Sequence, residues 1–197
     1  MPEPADLPIA MVRPHLTGIP ESAFPAGYGL RPITPGEGAG WAEIQRETER
    51  ILPITDDTFE EQFGADAVQI SQRCFFIVSD DGSLLGTISA WYRRDPDGAD
   101  YGRIHWFAIR PAFQGRGLAR PALSYALQRL AAWHQRAWLT SSSSRLPALK
   151  LYLDYGFTPD WSQPRASEAW RQVQSRLAHP ALGAILDLRP ESPRAGH

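Results

Sequence analysis

Between Ile109 and Ala119 the chain reads IRPAFQGRGLA, a glycine-containing turn set between an extended apolar run and a helical one. Gly115 and Gly117 remove Cβ atoms from the path of a ligand and let the backbone come close to it. The helix that follows starts with N–H groups that have no partner within the helix. With the positive end of the helix dipole, they favour an anion such as a pyrophosphate. Arg116 adds a mobile cation at the rim. Two other phosphate-binding patterns are excluded by the neighbouring residues. A P-loop needs Gly-Lys-Ser/Thr, whereas Gly117 is followed by Leu118, Ala119 and Arg120. A dinucleotide fingerprint needs a small residue three places beyond the second glycine; that place holds Arg120, and no repeated β-α-β units surround it.

The elements that must position this turn can be read outward from it. Gly102 to Ile109 has the alternation of a strand, with Ile104, Trp106 and Ala108 on one face and Arg103, His105, Phe107 and Ile109 on the other. Bulk on both faces predicts a central strand. From Gly117 to about His134, residues Leu118, Ala122, Leu123, Ala126, Leu127, Leu130 and Ala131 form one helical stripe. Pro121 is harmless only in a first turn, so this helix must begin close to Gly117 or bend.

Upstream, Tyr28 to Thr34 reads as a strand, and Trp41, Ile44, Thr48, Ile51 and Leu52 as an amphipathic helix. A second helix begins near Asp56 or Asp57 and buries Phe59 and Phe63. Cys74 to Val78, the turn Asp80-Asp81-Gly82 and Leu84 to Tyr92 predict a hairpin, followed by a longer turn at Asp95-Pro96-Asp97-Gly98. Downstream come a strand from Arg136 to Thr140, four serines (Ser141 to Ser144), and a helix from Leu146 to Tyr155 stopped by Gly156. Phe157-Thr158 is a short strand, and Trp170, Val173 and Leu177 mark a C-terminal helix.

The order β-α-α-β-β-β-α-β-α-β predicts an α+β fold with a mixed, mostly antiparallel central sheet flanked by helices, and not a doubly wound nucleotide fold. Residues 1–27, with prolines at 2, 4, 8, 14, 20 and 25, read as a tail or wrapped arm. Residues 28–160 form the domain, and 161–197 a C-terminal helix and tail.

At 197 residues, 43% hydrophobic and 21% charged, the chain fits one domain of ordinary size. A formal net charge of −2 supplies no basic footprint, so nucleic acid is not an expected partner. The single cysteine, Cys74, excludes an internal disulfide and a multi-cysteine metal site. Opening the apolar run CFFIV, it reads as a small buried hydrophobe and not as a nucleophile. Neither a membrane span nor a secretory signal is visible, which makes the cytoplasm the default expectation.

The glycine turn resembles the acyl-CoA-binding signature of the GNAT N-acetyltransferase superfamily, Q/R-x-x-G-x-G/A, met by Gln114, Gly117 and Ala119. A second match lies downstream. Ala148 to Phe157 is similar to the family's A-x-x-L-Y-x-x-x-G-F segment, one helix and one strand away, and the resemblance runs from about Tyr28 to Pro159. It implies the GNAT acyl-CoA acyltransferase fold, acetyl-CoA as cosubstrate, and no metal.

It also implies roles. The backbone of Phe107, Ala108 and Ile109 would pair with the pantetheine arm, lying like an extra strand between two splayed strands, and an N–H near Ile109 would face the thioester carbonyl. Backbone groups of Gln114, Gly115, Arg116, Gly117, Leu118 and Ala119 would hold the pyrophosphate, and Tyr152 would protonate the departing thiolate. Three residues before Ala148 the family often has an asparagine; Arg145 stands there and could serve a phosphate or the pantetheine amide.

The attacking amine must lose a proton, because an ammonium has no lone pair. Where the family often has a carboxylate on the strand before the loop, this chain has Arg103. His105 lies on the same predicted face, with an unperturbed pKa of about 6.5. It is a base or water-positioner on one reading and a packed core histidine on the other. Tyr152 is likewise a general acid or a tyrosine packed under the sheet, with Tyr155 a weaker rival. Ser141 to Ser144 either line the acceptor pocket or cap the next helix. Trp91, Tyr92 and Trp106 read as core or pocket wall. The resulting expectation is an acetyl-CoA-dependent N-acetyltransferase acting on a small-molecule or peptide amine by direct attack, as a monomer or homodimer. The alternative is a CoA-binding sensor or scaffold without catalysis, which the missing carboxylate at Arg103 favours.

Overall fold

The apolar runs on either side of Asp80-Asp81-Gly82 pair as expected. A computed structural model of the chain describes residues 5–49, 52–94 and 100–187. In chain order the elements are β1 (Pro8–Arg13), β2 (Tyr28–Pro32), α1 (Gly38–Thr48), α2 (Thr58–Phe63), α3 (Ala67–Arg73), β3 (Cys74–Ser79), β4 (Leu84–Arg94) and β5 (Asp100–Ile109). There follow α4 (Ala119–Ala131), β6 (Ala137–Ser142), α5 (Leu146–Asp154), β7 (Thr158–Pro159), α6 (Ala166–Gln174) and α7 (Pro180–Asp187). The chain divides into two units, residues 15–137 and residues 1–14 with 138–197. Ile51 and the turn Asp95-Pro96-Asp97-Gly98 lie outside the described residues.

In the larger unit β2, β3, β4 and β5 form an antiparallel sheet in that order. The hairpin turn is held by Asp81, whose carboxylate accepts the Ser83 N–H at 3.0 Å and the Ser79 hydroxyl at 2.5 Å. Gly82 supplies the left-handed φ of 85° that the turn needs. Helices α1 and α2 bring Trp41, Ile44, Phe59 and Phe63 into one core cluster with Ile33, Phe76 and Trp91. Trp41 meets Phe59, Phe63 and Trp106 edge-on, with ring centroids 5.4, 5.8 and 5.1 Å away. Such aromatic pairs add specificity to the area they bury.

The stripe expected on α4 is buried except at its last residue: Ala122, Leu123, Ala126, Leu127 and Leu130 have no exposed surface, while Ala131 is exposed. Pro121 is the third residue of this helix, inside the first turn where its missing N–H is tolerated. Helix and sheet come so close that a Cβ on Gly102 would sit 3.0 Å from Leu130. Cys74 is fully buried, and burial pushes its thiol up to about 12, so it behaves as the inert hydrophobe expected.

Helix α3 has no counterpart among the elements read from the sequence. The Asp66 carboxylate starts it by accepting the N–H groups of Val68 and Gln69 at 3.0 and 3.1 Å. With only Ile70 buried, it has too little apolar periodicity to be read from the sequence.

The smaller unit contains β6, β1 and β7 in that order, with β1 antiparallel to β7 through Met11–Pro159 and Val12–Thr158. The proline-rich opening therefore contributes a strand, which the reading of a tail or wrapped arm did not foresee. Its prolines flank the strand: Pro8 opens it and Pro14 follows it, positions where no interior ladder N–H is lost. Leu7, Ile9 and Met11 are buried.

Ser141 and Ser142 extend β6, and Ser143 and Ser144 hold this opening segment. Ser143 Oγ accepts the Leu7 N–H at 2.9 Å, and the Ser144 N–H and hydroxyl donate to Asp6 at 3.0 and 2.9 Å. Helix α5 ends before Gly156, which has φ 77°, and α6 buries Trp170 and Val173; Leu177 falls beyond its end. Helix α7 was not foreseen. Among the described residues no helix is long and apolar enough to cross a membrane.

Candidate active site

Strand β5 leads through a 3-10 turn, Pro111–Phe113, into the glycine segment and then α4. Gly115 and Gly117 have φ of 75° and 77°, a region closed to most side chains, and nothing lies within 4 Å of where a Cβ on Gly115 would be. No side chain caps α4, and the Ala122 N–H, bonded to the Leu118 carbonyl at 3.3 Å, begins its ladder. A helix start of this kind, with its dipole's positive end toward the turn, suits a phosphate oxygen. The Gln114 side chain donates to the Ile109 carbonyl at 2.9 Å and ties the turn to the end of β5.

Arg116 differs from the mobile cation expected. Its guanidinium donates to Tyr28 Oη and to the Ala112 carbonyl, both at 3.2 Å, and rests 4.8 Å from the Phe113 ring. The segment before β2 also reaches this turn: Pro25 would lie 3.7 Å from a Cβ on Gly117.

Strand β5 is not regular. Its register with β4 runs Gly86–Ile109 and Thr87–Ala108, then shifts to Ser89–His105, so Ile88 alone faces both Trp106 and Phe107. Trp106 carries the extra residue of this bulge at φ 47°, an uncommon conformation for a bulky side chain. Strict alternation, which set His105 and Trp106 on opposite faces, is corrected by the bulge. His105 Nε2 and Trp106 Nε1 both meet Gln62 Oε1 on α2, at 3.2 and 3.1 Å.

The bulge is pinned from beneath. The Trp106 carbonyl accepts the Thr87 hydroxyl at 2.7 Å and Gln45 Nε2 at 3.4 Å, while Gln45 also donates to Thr87 Oγ1 at 2.7 Å. Gln45 and Thr87 are 2% and 0% exposed, so these bonds form out of reach of water. The sequence reading missed Gln45, Gln62 and Thr87. Gln45 had left a signal, since it lies four residues after Trp41 on the apolar stripe of α1.

His105 is 8% exposed, and its ring meets Phe63 at 5.6 Å. Burial first, and then the charge of Arg103, push its proton affinity well below the usual imidazole range. Arg103 is itself lowered to about 10, by burial and then by Arg93. The imidazole is therefore neutral at pH 7.

In the smaller unit Tyr152 is 6% exposed on α5, and burial raises its phenol to about 12 against a smaller opposing effect of Arg145. Its ring packs edge-on against Phe157 at 5.9 Å. Arg145 immediately precedes α5, its carbonyl accepting the Leu149 N–H at 3.0 Å. Tyr155 is 1% exposed, and its carbonyl accepts from the Arg13 guanidinium.

The profile of the acetyltransferase (GNAT) family matches residues 40–157, well over half of the chain. The chain belongs to this family. GNAT members are acyl-transferring enzymes, and the matched span contains Tyr152 and both glycines of the turn. A GCN5-related N-acetyltransferase from Sphaerobacter thermophilus is similar at 21% identity and TM-score 0.64, over 79% of this chain and 48% of that one. A GNAT-family acetyltransferase from Novosphingobium aromaticivorans is similar at 19% identity and TM-score 0.56, over 79% and 61%. Diaminobutyrate acetyltransferase EctA from Paenibacillus lautus, solved with L-2,4-diaminobutyric acid and coenzyme A, is similar at 18% identity and TM-score 0.51, over 65% and 74%. This chain thus spans less than two thirds of the first two proteins. These likenesses show the shared mixed α+β GNAT fold. No curated protein sequence matches the chain.

Proposed function

We propose that the chain transfers an acetyl group from acetyl-CoA to a primary amine of a small-molecule or peptide acceptor by direct attack. The observation that carries this reading is the uncapped start of α4 behind two left-handed glycines, with nothing within 4 Å of a Cβ position on Gly115, a backbone arrangement suited to a pyrophosphate. Backbone groups of Gln114, Gly115, Arg116, Gly117, Leu118 and Ala119 would hold that pyrophosphate. Those of Phe107, Ala108 and Ile109 would hold the pantetheine, and Arg145, just before α5, a phosphate or the pantetheine amide. The coenzyme supplies the acyl group as a thioester, already activated toward amines.

The remaining work falls to two side chains. His105, neutral at pH 7, takes a proton from the acceptor nitrogen. Tyr152, neutral to well above pH 7, donates to the departing sulfur. That EctA acts on a diamino acid supports an amine acceptor. The depressed proton affinity of His105 beside Arg103 favours the second reading, a CoA-binding module without catalysis.

Thermal unfolding with and without acetyl-CoA, and CoA release across a panel of amines, separate the two. Acetyl-CoA should raise the Tm by mass action, and Gly117→Glu, which sets a carboxylate beside the phosphates, should abolish the rise. An unchanged shift in the variant would place the coenzyme elsewhere. Binding with no CoA release for any amine would favour the non-catalytic module.

A further inference from the structure

The bulge in β5 puts two consecutive side chains on one acceptor atom, and this determines which nitrogen of His105 holds the proton. An indole N–H only donates, so the Gln62 atom 3.1 Å from Trp106 Nε1 must be the amide oxygen and not the amide nitrogen. The same oxygen lies 3.2 Å from His105 Nε2. An oxygen there can only accept, so Nε2 must carry the hydrogen. In a neutral ring the lone pair is then on Nδ1. Without the bulge, His105 and Trp106 would point to opposite faces, and Gln62 could meet only one of them.

We infer that Gln62 is the positioning residue of His105: its side-chain oxygen locks the imidazole as the Nε2–H tautomer and leaves Nδ1 as the proton-accepting nitrogen. This rests on the reading of His105 as the base, but the lock is a property of the ring and can be observed without turnover. Gln62 is suited to the task because it is exposed on α2 while both of its donors lie against the aromatic cluster. Its Nε2 group takes no part in the lock. Burial, and after it the charge of Arg103, opposes protonation and so keeps the ring in the neutral form where tautomer matters.

The test is long-range ¹H–¹⁵N correlation of the ¹⁵N-histidine-labelled full chain at neutral pH, with His105 assigned from the His105→Gln variant. The expected wild-type result is one unaveraged tautomer, Nε2 protonated and Nδ1 bare. In Gln62→Leu, at an exposed helix position that leucine fills readily, the two nitrogen shifts should move toward each other as both tautomers exchange. Gln62→Glu, which can only accept, should restore the single Nε2–H form and raise the pH at which the ring titrates. A protonated Nδ1 in the wild type, or identical shifts in wild type and Gln62→Leu, would overturn the lock. If the lock is present but Gln62→Leu and His105→Gln both keep full activity on the acceptor, His105 is not the base while the assignment of its tautomer stands.

Discussion

Gly86→Ala tests whether the end of β5 is fixed by packing from β4. Gly86 faces Ile109 across the ladder. A Cβ there would lie 2.4 Å from the Ala108 carbonyl oxygen, 3.1 Å from Ile77 Cδ1 and 3.2 Å from Ile109 Cα. The isoleucine methyl can turn aside, but the two backbone atoms cannot. Carbon–oxygen contacts between strands settle at about 3.3–3.6 Å, so β5 must retreat by about 1 Å. Overpacking of this kind costs about 1–3 kcal/mol. At about 2–4 °C per kcal/mol for a chain of this size, the Tm should fall by about 2–12 °C. The displaced residues are those proposed to hold the pantetheine through their backbone. Losing one such hydrogen bond, about 0.5–1.5 kcal/mol, should weaken acetyl-CoA about 2–13-fold. Calorimetric unfolding and titration measure both effects. Gly29→Ala is the control, since nothing lies within 4 Å of its Cβ position and it should change neither quantity greatly. A wild-type Tm and Kd in Gly86→Ala would refute the claim that this contact fixes β5. A lowered Tm with unchanged Kd would remove Ala108 and Ile109 from the coenzyme site.

Tyr152→Phe removes one oxygen from a buried ring, so acetyl-CoA affinity should hold while kcat falls about 10²–10⁴-fold, roughly 3–5 kcal/mol of barrier. Activity within about threefold of wild type in stopped-time CoA-release assays would make Tyr152 a packing residue. A third prediction concerns pH. His105 and His134 both bind protons less readily in the folded chain than the usual 6.5, in each case chiefly through burial. The unfolded chain therefore gains protons first on acidification, so their contribution to stability is complete above about pH 6.5 and is lost as pH falls toward the folded values. The Tm should drop as pH falls below about 6.5, and His105→Gln should flatten that drop; an identical slope in the variant would show that His105 is not held neutral by burial.

The parts of the fold legible in the sequence were those set by local periodicity. The stripe of α4, the Asp-Gly hairpin and the glycine turn each depend on residues a few positions apart. Two kinds of feature were hidden. Strand β1 lies among prolines, and its strand character comes from partners more than a hundred residues away, Pro159 among them. The bulge is likewise a tertiary event. Nothing in Arg-Ile-His-Trp-Phe marks an extra residue; Trp106 adopts φ 47° because Gln45 and Thr87 hold its carbonyl. Alternation then failed at the one place where it governed the site, assigning His105 the right neighbours in sequence and the wrong ones in space.

That failure changes how Arg103 should be understood. Beside a carboxylate, a catalytic base would gain proton affinity; buried, and to a smaller extent because of Arg103, His105 loses it. Under the proposed reaction the same field acts on the acceptor. Were the acceptor nitrogen to bind about 6 Å from this guanidinium, at an effective dielectric constant of about 20, its ammonium form would be disfavoured by about 3 kcal/mol, or about two pKa units. Aromatic walls add desolvation in the same direction. An acceptor amine bound there would enter with its lone pair free to a much greater extent than in water, and no strong base would be needed to expose it. Once the nitrogen has bonded to the acyl carbon it becomes far more acidic than an alkylammonium, and a weakly basic, neutral imidazole suffices to remove its proton. On this argument the arginine replaces the usual carboxylate by moving the deprotonation problem from before the attack to after it, where Nδ1 of a tautomerically fixed His105 is a sufficient acceptor.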